Sequence, residues 1–205
     1  LAMVLLRGIA DDLELQTWLQ EKIWPMESNL EAEHVRAGAM LGCLAMIKSG
    51  TTRYMDQYFF MDEVAEAVKE SGLRASLCYG IIEEGDPEKR KEELEAAEDL
   101  IENYEGAGGG RIRTMLGPHS TYTCSSECLR EVKELASEHG VGIHIHLSEN
   151  ESEVENVVDM HGKRPPRFLD SIGFLGPEIT AAHCTKLNDE EIKLYANTGC
   201  GVAHC

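Results

Sequence analysis

Histidines recur at equivalent positions along the second half of this sequence. His119 stands in Gly117-Pro118-His119-Ser120, and His144 and His146 in His144-Ile145-His146-Leu147-Ser148-Glu149. His183 stands in Ala181-Ala182-His183-Cys184, and His204 in Val202-Ala203-His204-Cys205. Each closes or directly follows a short apolar run. Imidazole is the commonest metal-ligating side chain and changes charge near neutral pH, so such a row points to metal-assisted or acid–base chemistry. His144 and His146 are two apart on a predicted strand and so share a face. Glu149 follows just past the strand, where its carboxylate can reach back toward whatever His146 holds. A carboxylate beside an activated water is what proton shuttling needs. Taken singly, a strand-end histidine is more often a satisfied structural residue, and a glutamate at 149 also suits the start of a following helix. Four successive strand ends weaken that alternative. His34, His139 and His161 fall on helices or turns and are read as solvent-facing.

The elements that must position these residues alternate in type. Period-2 and continuous apolar runs predict strands over 51–58, 74–82, 111–116, 141–147, 180–183 and 201–204. Helical spacing and stop signals predict helices over 30–48, 62–70, 87–103, 125–139, 149–160 and 189–197, with Ser125 or Ser126 as a cap and 106–110 as a flexible glycine loop. Strands alternating with helices, without hairpin signals, imply parallel βαβ units and an α/β fold. Parallel strands are covered on both faces, which accounts for their unbroken apolar character. An open doubly wound sheet and a (β/α)8 barrel both fit. No GxGxxG follows a strand, which weighs against a dinucleotide fold. In a barrel the C-terminal strand ends gather at one face, where active sites are built.

Composition narrows the function. The 205 residues are 42% hydrophobic and 27% charged, as in an ordinary globular domain. A net charge of −18 repels phosphate backbones, so a small-molecule substrate is expected and nucleic acid is not. No run is long and apolar enough for a membrane span, and no signal peptide is recognisable. The seven cysteines include no CxxC pair, which argues against a zinc ribbon and for a reducing, cytoplasmic location. The chain begins with Leu1 rather than Met, so a processed or incomplete chain is expected.

Leu5-Leu6-Arg7-Gly8 and the four histidine motifs, in this order, resemble the methylthioadenosine/S-adenosylhomocysteine deaminase family. That family lies within the amidohydrolases, which also include triazine hydrolases and guanine deaminases. The resemblance implies a distorted (β/α)8 TIM-type barrel of the metal-dependent hydrolase kind. Its metal site uses an HxH pair after the first strand, a histidine after the fifth and an aspartate after the eighth. By strand order this chain is a central fragment, strands 2 to 7. It is then a single barrel domain over 1–205, truncated at both ends, with the HxH pair before Leu1 and the aspartate beyond Cys205. His146 matches the fifth-strand metal ligand, and His144 is then a neighbour of the site. Glu149 matches the proton-shuttling, substrate-contacting carboxylate, and His183 the histidine that orients the attacking water. His119 resembles a substrate-contacting histidine. Glu27, in Trp24-Pro25-Met26-Glu27, resembles the carboxylate that binds ribose hydroxyls. Tyr79 stands at one position where an arginine would bind a homocysteine carboxylate, and Arg90 could supply the other contact.

The implied reaction is metal-dependent hydrolytic deamination of an adenosine-type nucleoside, of the 5'-methylthioadenosine or S-adenosylhomocysteine class. The alternatives are a related amidohydrolase acting on guanine, cytosine or a triazine, and a catalytically inert fragment. The implied cofactor is one divalent metal ion, zinc first, with iron or manganese suiting the same ligands. One imidazole does not hold a catalytic metal, which takes about three protein ligands, so the ion is expected to be absent from this chain alone. The expected partner is a nucleoside or nucleobase, with room for a homo-oligomer.

Overall fold

The structure, a computed structural model, describes residues 1–10 and 12–205. The chain divides into two compact units: Leu1–Leu77 with Tyr104–Arg113, and Cys78–Asn103 with Thr114–Cys205.

In the first unit, short helical turns over Ala2–Leu6, Leu15–Trp18, Leu19–Ile23 and Trp24–Glu27 precede helix α1 (Ala32–Ser49), strand β1 (Arg53–Tyr58) and helix α2 (Met61–Ser71). Val35 and Ala39 of α1 and Val64, Ala65 and Val68 of α2 are fully buried. Gly38 lets α1 approach the first turn closely: a Cβ there would lie 2.7 Å from the Ala2 carbonyl oxygen. Strand β1 lies beside β2 (Arg74–Ile81).

In the second unit, β2 is followed by α3 (Pro87–Tyr104), β3 (Ile112–Pro118), α4 (Ser126–His139), β4 (Gly142–Leu147), α5 (Glu151–His161), α6 (Pro165–Ser171), β5 (Ile179–His183), α7 (Asp189–Thr198) and β6 (Gly201–Ala203). Strands β2 to β6 adjoin one another in chain order. The pairings of β3 with β4, β4 with β5 and β5 with β6 are parallel. His146 is in register with Ala182, and Leu147 with His183, so the histidine-bearing ends of β4 and β5 stand level. The core is built from inward residues of these strands, Leu116, Ile143, Ile145, Leu147, Ile179 and Ala181, packed against Leu129 and Val132 of α4 and Val157 of α5.

Local chemistry explains the element ends. Ser125 caps α4 by accepting the Cys128 N–H at 3.1 Å, and Gly140, at φ 65°, turns the chain out of α4 into β4. Asn150, not Glu149, caps α5, because the Asn150 side chain accepts the Glu153 N–H at 2.8 Å. Glu149 therefore stands outside the helix predicted to contain it. The sequence reading also missed α6: two prolines open it at Pro165 and Pro166, where a missing N–H costs nothing. The glycine loop over 106–110 contains a tight turn, with Gly108 and Gly109 at positive φ. His161 is not solvent-facing as expected: its ring stacks on Phe168 at 3.9 Å between centroids, and its Nε2 is buried. Among the described residues no helix is long and apolar enough to cross a membrane.

Candidate active site

The second unit gathers four histidines. His146, near the end of β4, has the ring of His119 at 5.0 Å between centroids, that of His144 at 5.7 Å and that of His183 at 5.4 Å, the last stacked with an interplanar angle of 21°. Parallel pairing produces this grouping, since it sets the ends of β4 and β5 level while the chain leaving β3 at Pro118 folds against β4. The His119 carbonyl oxygen accepts both the His146 backbone N–H at 3.0 Å and the His146 ring at 2.9 Å. A carbonyl can only accept, so His146 carries its proton on Nδ1 and leaves Nε2 as a lone-pair donor. That is the tautomer a metal-ligating histidine needs.

Burial decides the charge state of the cluster. Desolvation, with the neighbouring His146, pushes His119 down to about 3. Desolvation, with His146 and His183, pushes His144 down to about 4. His146 and His183 are also lowered, mainly by burial. At neutral pH these are uncharged imidazoles with lone pairs to offer. His119 Nδ1 lies 3.1 Å from Thr123 Oγ1, which in turn lies 2.9 Å from Ser120 Oγ, so a hydroxyl chain fixes that ring. His144 Nδ1 lies 3.5 Å from Cys78 Sγ, while its Nε2 is buried with no hydrogen-bond partner.

Glu149 completes the group. Its Oε1 lies 3.5 Å from His183 Nε2, and burial raises its carboxyl above the ordinary carboxylate value. A carboxyl pushed upward can take and return a proton at working pH more readily than a solvated one. The backbone here is strained: Ser148, His183 and Cys184 adopt φ of 50°, 69° and 56°. Non-glycine residues rarely occupy this region, and those that do concentrate at functional sites. The surroundings hold them. Cys184 N–H donates to the Leu147 carbonyl at 2.9 Å and Lys186 N–H to the Ser148 carbonyl at 3.0 Å. The Thr185 hydroxyl donates to the carbonyls of Ser148 and Glu149.

Thus His119, His146, Glu149 and His183 come together. Arg90, in the same unit, is engaged elsewhere, in a groove between α3 and α4. Its NH1 lies 3.6 Å from Glu83 Oε2 and its Nε 3.7 Å from Glu131 Oε2. Buried Glu83 in turn accepts the Ser125 N–H at 2.8 Å, so Arg90 neutralises a carboxylate that ties down the start of α4. Tyr79 is hydrogen-bonded to Glu93, and burial pushes its phenol up to about 12. Glu27 belongs to the first unit, where the Tyr58 hydroxyl donates to its Oε1 at 2.7 Å and burial raises its carboxyl. His204 directly follows β6 and is exposed. The sequence reading overlooked Glu153, a buried carboxylate in the first turn of α5 that accepts the N–H groups of Ser148 and Glu149. A surface-type helix start gives no sequence signal for such a contact.

For a resident metal the fit is incomplete. His146 offers one correctly protonated imidazole, but among the described residues no group of three His, Cys, Asp or Glu is arranged to hold an ion.

Comparison with known proteins accords with this geometry. The chain is 48% identical over 204 residues to a 5'-deoxyadenosine deaminase of Methanobrevibacter smithii, covering 100% of this chain and 47% of that relative. It is 50% identical over 204 residues to a 5-methylthioadenosine/S-adenosylhomocysteine deaminase of Moorella thermoacetica, again covering 100% and 47%. Among solved structures, an adenosine deaminase of Xanthomonas campestris with bound zinc superposes with a TM-score of 0.92 at 34% identity, over 100% of this chain and 47% of that one. The chain spans about half the length of the relatives it matches. The amidohydrolase family matches residues 1–205 throughout. With its parallel β/α units, strand-end histidines and adjoining carboxylate, this chain belongs to the amidohydrolase family.

Proposed function

We propose that these residues form part of the centre of a metal-dependent aminohydrolase acting on adenosine-type nucleosides, of the 5'-deoxyadenosine, 5'-methylthioadenosine or S-adenosylhomocysteine class. The observation that carries the reading is the grouping of neutral His119, His146 and His183 around a half-buried Glu149 whose carboxyl is raised. The reaction adds water at C6 of the adenine ring and expels ammonia. In this reading Glu149 takes a proton from the attacking water and delivers it first to the ring nitrogen and then to the leaving amine. His183, 3.5 Å from Glu149, orients the attacking oxygen. His119, fixed by Thr123, contacts the substrate; Glu27, held by Tyr58 within the first unit, resembles a carboxylate that binds ribose hydroxyls. Arg90 would reach a substrate carboxylate only by leaving Glu83, so a homocysteine-bearing substrate is the least favoured of the class.

His146 Nε2 would be one ligand of a divalent ion, which we read as zinc because imidazole suits it, and further donors are required beyond those grouped here. Such an ion supplies Lewis acidity that favours loss of a proton from water near neutral pH. The free thiols and acidic surface fit a cytoplasmic enzyme with a small-molecule substrate.

The test is Glu149→Gln in the complete protein, assayed by ammonia release from 5'-deoxyadenosine. Turnover should fall by about 10²- to 10⁴-fold, the usual contribution of general acid–base catalysis, with metal content unchanged. Full activity in that variant would overturn the assignment.

A further inference from the structure

Glu153 lies outside every role assigned above, yet it is the most completely engaged carboxylate near the site. It is 2% exposed. Its Oε1 accepts the Ser148 N–H at 2.8 Å and its Oε2 the Glu149 N–H at 2.7 Å. In an ordinary capping box the third helical residue reaches back to the N-cap N–H. Here the N-cap is Asn150, and Glu153 reaches past it to the two residues before the helix. Those are the residue at φ 50° and the carboxylate that faces His183.

We infer that Glu153 is a positioning residue: its carboxylate clamps the Ser148 and Glu149 N–H groups and so aims the Glu149 side chain toward His183. Three observations support this. Ser148 sits in a left-handed conformation that a β-carbon disfavours, and such a residue persists only where its surroundings over-determine it. The two hydrogen bonds to Glu153 supply that restraint from one side, and Lys186 and Thr185 on the Ser148 carbonyl supply it from the other. Charge-assisted bonds of this length are about twice as strong as neutral ones, and the site is buried, where they count most. Finally, both oxygens of the Glu153 carboxyl are spent on backbone N–H groups outside the helix, although a helix cap needs only one acceptor. A carboxylate suits that task because each of its oxygens holds one N–H group, whereas a carboxamide offers only one acceptor oxygen.

The inference rests on the deaminase reading for its consequence, but not for its geometry, and two experiments separate them. In the complete protein, Glu153→Gln keeps the shape but turns an NH2 toward one of the two N–H groups. Its kcat should fall about 10- to 100-fold, the cost of a misplacement near 1 Å, with KM within twofold of wild type. Glu153→Asp, which keeps the charge but withdraws it by one methylene, should lose less. Asn150→Ala removes the cap bond to the Glu153 backbone N–H but leaves both carboxylate bonds of the clamp, and should keep kcat within twofold. Wild-type kcat in Glu153→Gln, or an equal loss in Asn150→Ala, overturns the inference, because the residue is then only a helix cap. In the 205-residue chain, the Ser148 and Glu149 amides should exchange with solvent at least 10-fold faster in Glu153→Gln than in wild type. Unchanged exchange overturns the clamp whatever the enzyme does. Absence of deamination by the complete wild-type protein, with faster exchange in the variant, would instead sink the functional reading and leave the clamp standing.

Discussion

Arg164 offers a quantitative test of how the loop after His183 is held. Its Nε donates to Glu191 Oε1 at 2.7 Å and its NH2 to Glu191 Oε2 at 3.1 Å, and the same NH2 donates to the Lys186 carbonyl. Glu191 is fully buried, while Arg164 is 35% exposed. Arg164→Met deletes three charge-assisted hydrogen bonds and leaves the carboxylate with one N–H donor, that of Asn188 at 2.9 Å. Removing one partner of a buried ion pair costs about 3–5 kcal/mol. Solvent reaches the arginine side of this pair and screens the orphaned charge, so about 2–3 kcal/mol is expected. For a chain of this size that lowers Tm by about 4–12 °C. Urea unfolding of the 205-residue chain, followed by far-UV circular dichroism, measures it. The double variant Arg164→Met/Glu191→Gln should recover at least ~1 kcal/mol of the summed losses, because the uncompensated charge is gone. A loss below about 0.5 kcal/mol in Arg164→Met, or strict additivity in the double variant, would refute the claim that this pair anchors the segment.

Other predictions follow from the site. Burial raises the Glu149 carboxyl above its unfolded value, so the ionised form costs stability above the folded pKa and the cost vanishes as pH falls below the unfolded value. Glu149→Gln should therefore be more stable than wild type at pH 7, with the advantage shrinking toward pH 4; a variant less stable at pH 7 contradicts this. Thiol titration of the native chain at pH 8 should find exposed Cys205 the fastest, with half-buried Cys200, whose thiol donates to the Gly176 carbonyl, slower, and Cys43, Cys78, Cys124, Cys128 and Cys184 unreactive because they are buried. Several fast thiols would mean the core around α4 is open. After exhaustive dialysis, the 205-residue chain should retain well under one zinc per chain, because the described residues supply no three-donor group. Stoichiometric metal would show that His144, His183 or His204 joins His146 as a ligand.

Much of the fold was legible in the chain. All six predicted strands agree with the observed ones to within about two residues, because apolar runs bounded by glycine and polar turns leave few alternatives. The last, predicted over 201–204, is observed as β6 over Gly201–Ala203, so His204 directly follows the strand. The Ser125 cap was readable because capping is chemistry between neighbours in sequence. The row of histidines was readable for a related reason. In parallel β/α units every strand runs the same way, so residues at strand ends meet without any knowledge of the packing. That is why His119, His146 and His183 could be grouped from their spacing alone.

What meets them across the chain was not so determined. Arg90 reads as a free cation on a charged helix, and only the packing of α3 against α4 gives it to Glu83 and Glu131. His161 reads as a surface residue until α6, which the sequence hides, brings Phe168 under its ring. Glu153 is one of several acidic residues in the first turn of α5, indistinguishable by spacing from Glu151. Burial separates them: Glu153 turns inward to two backbone N–H groups, while Glu151 stays outside with Lys186. The sequence by itself determined the strands, the main helices between them and which residue types stand at their ends, since those depend on local periodicity and neighbour chemistry. The tertiary structure decided which carboxylates are buried, which cations are already paired and where the backbone is strained, because burial and charge pairing are properties of residues far apart in the chain.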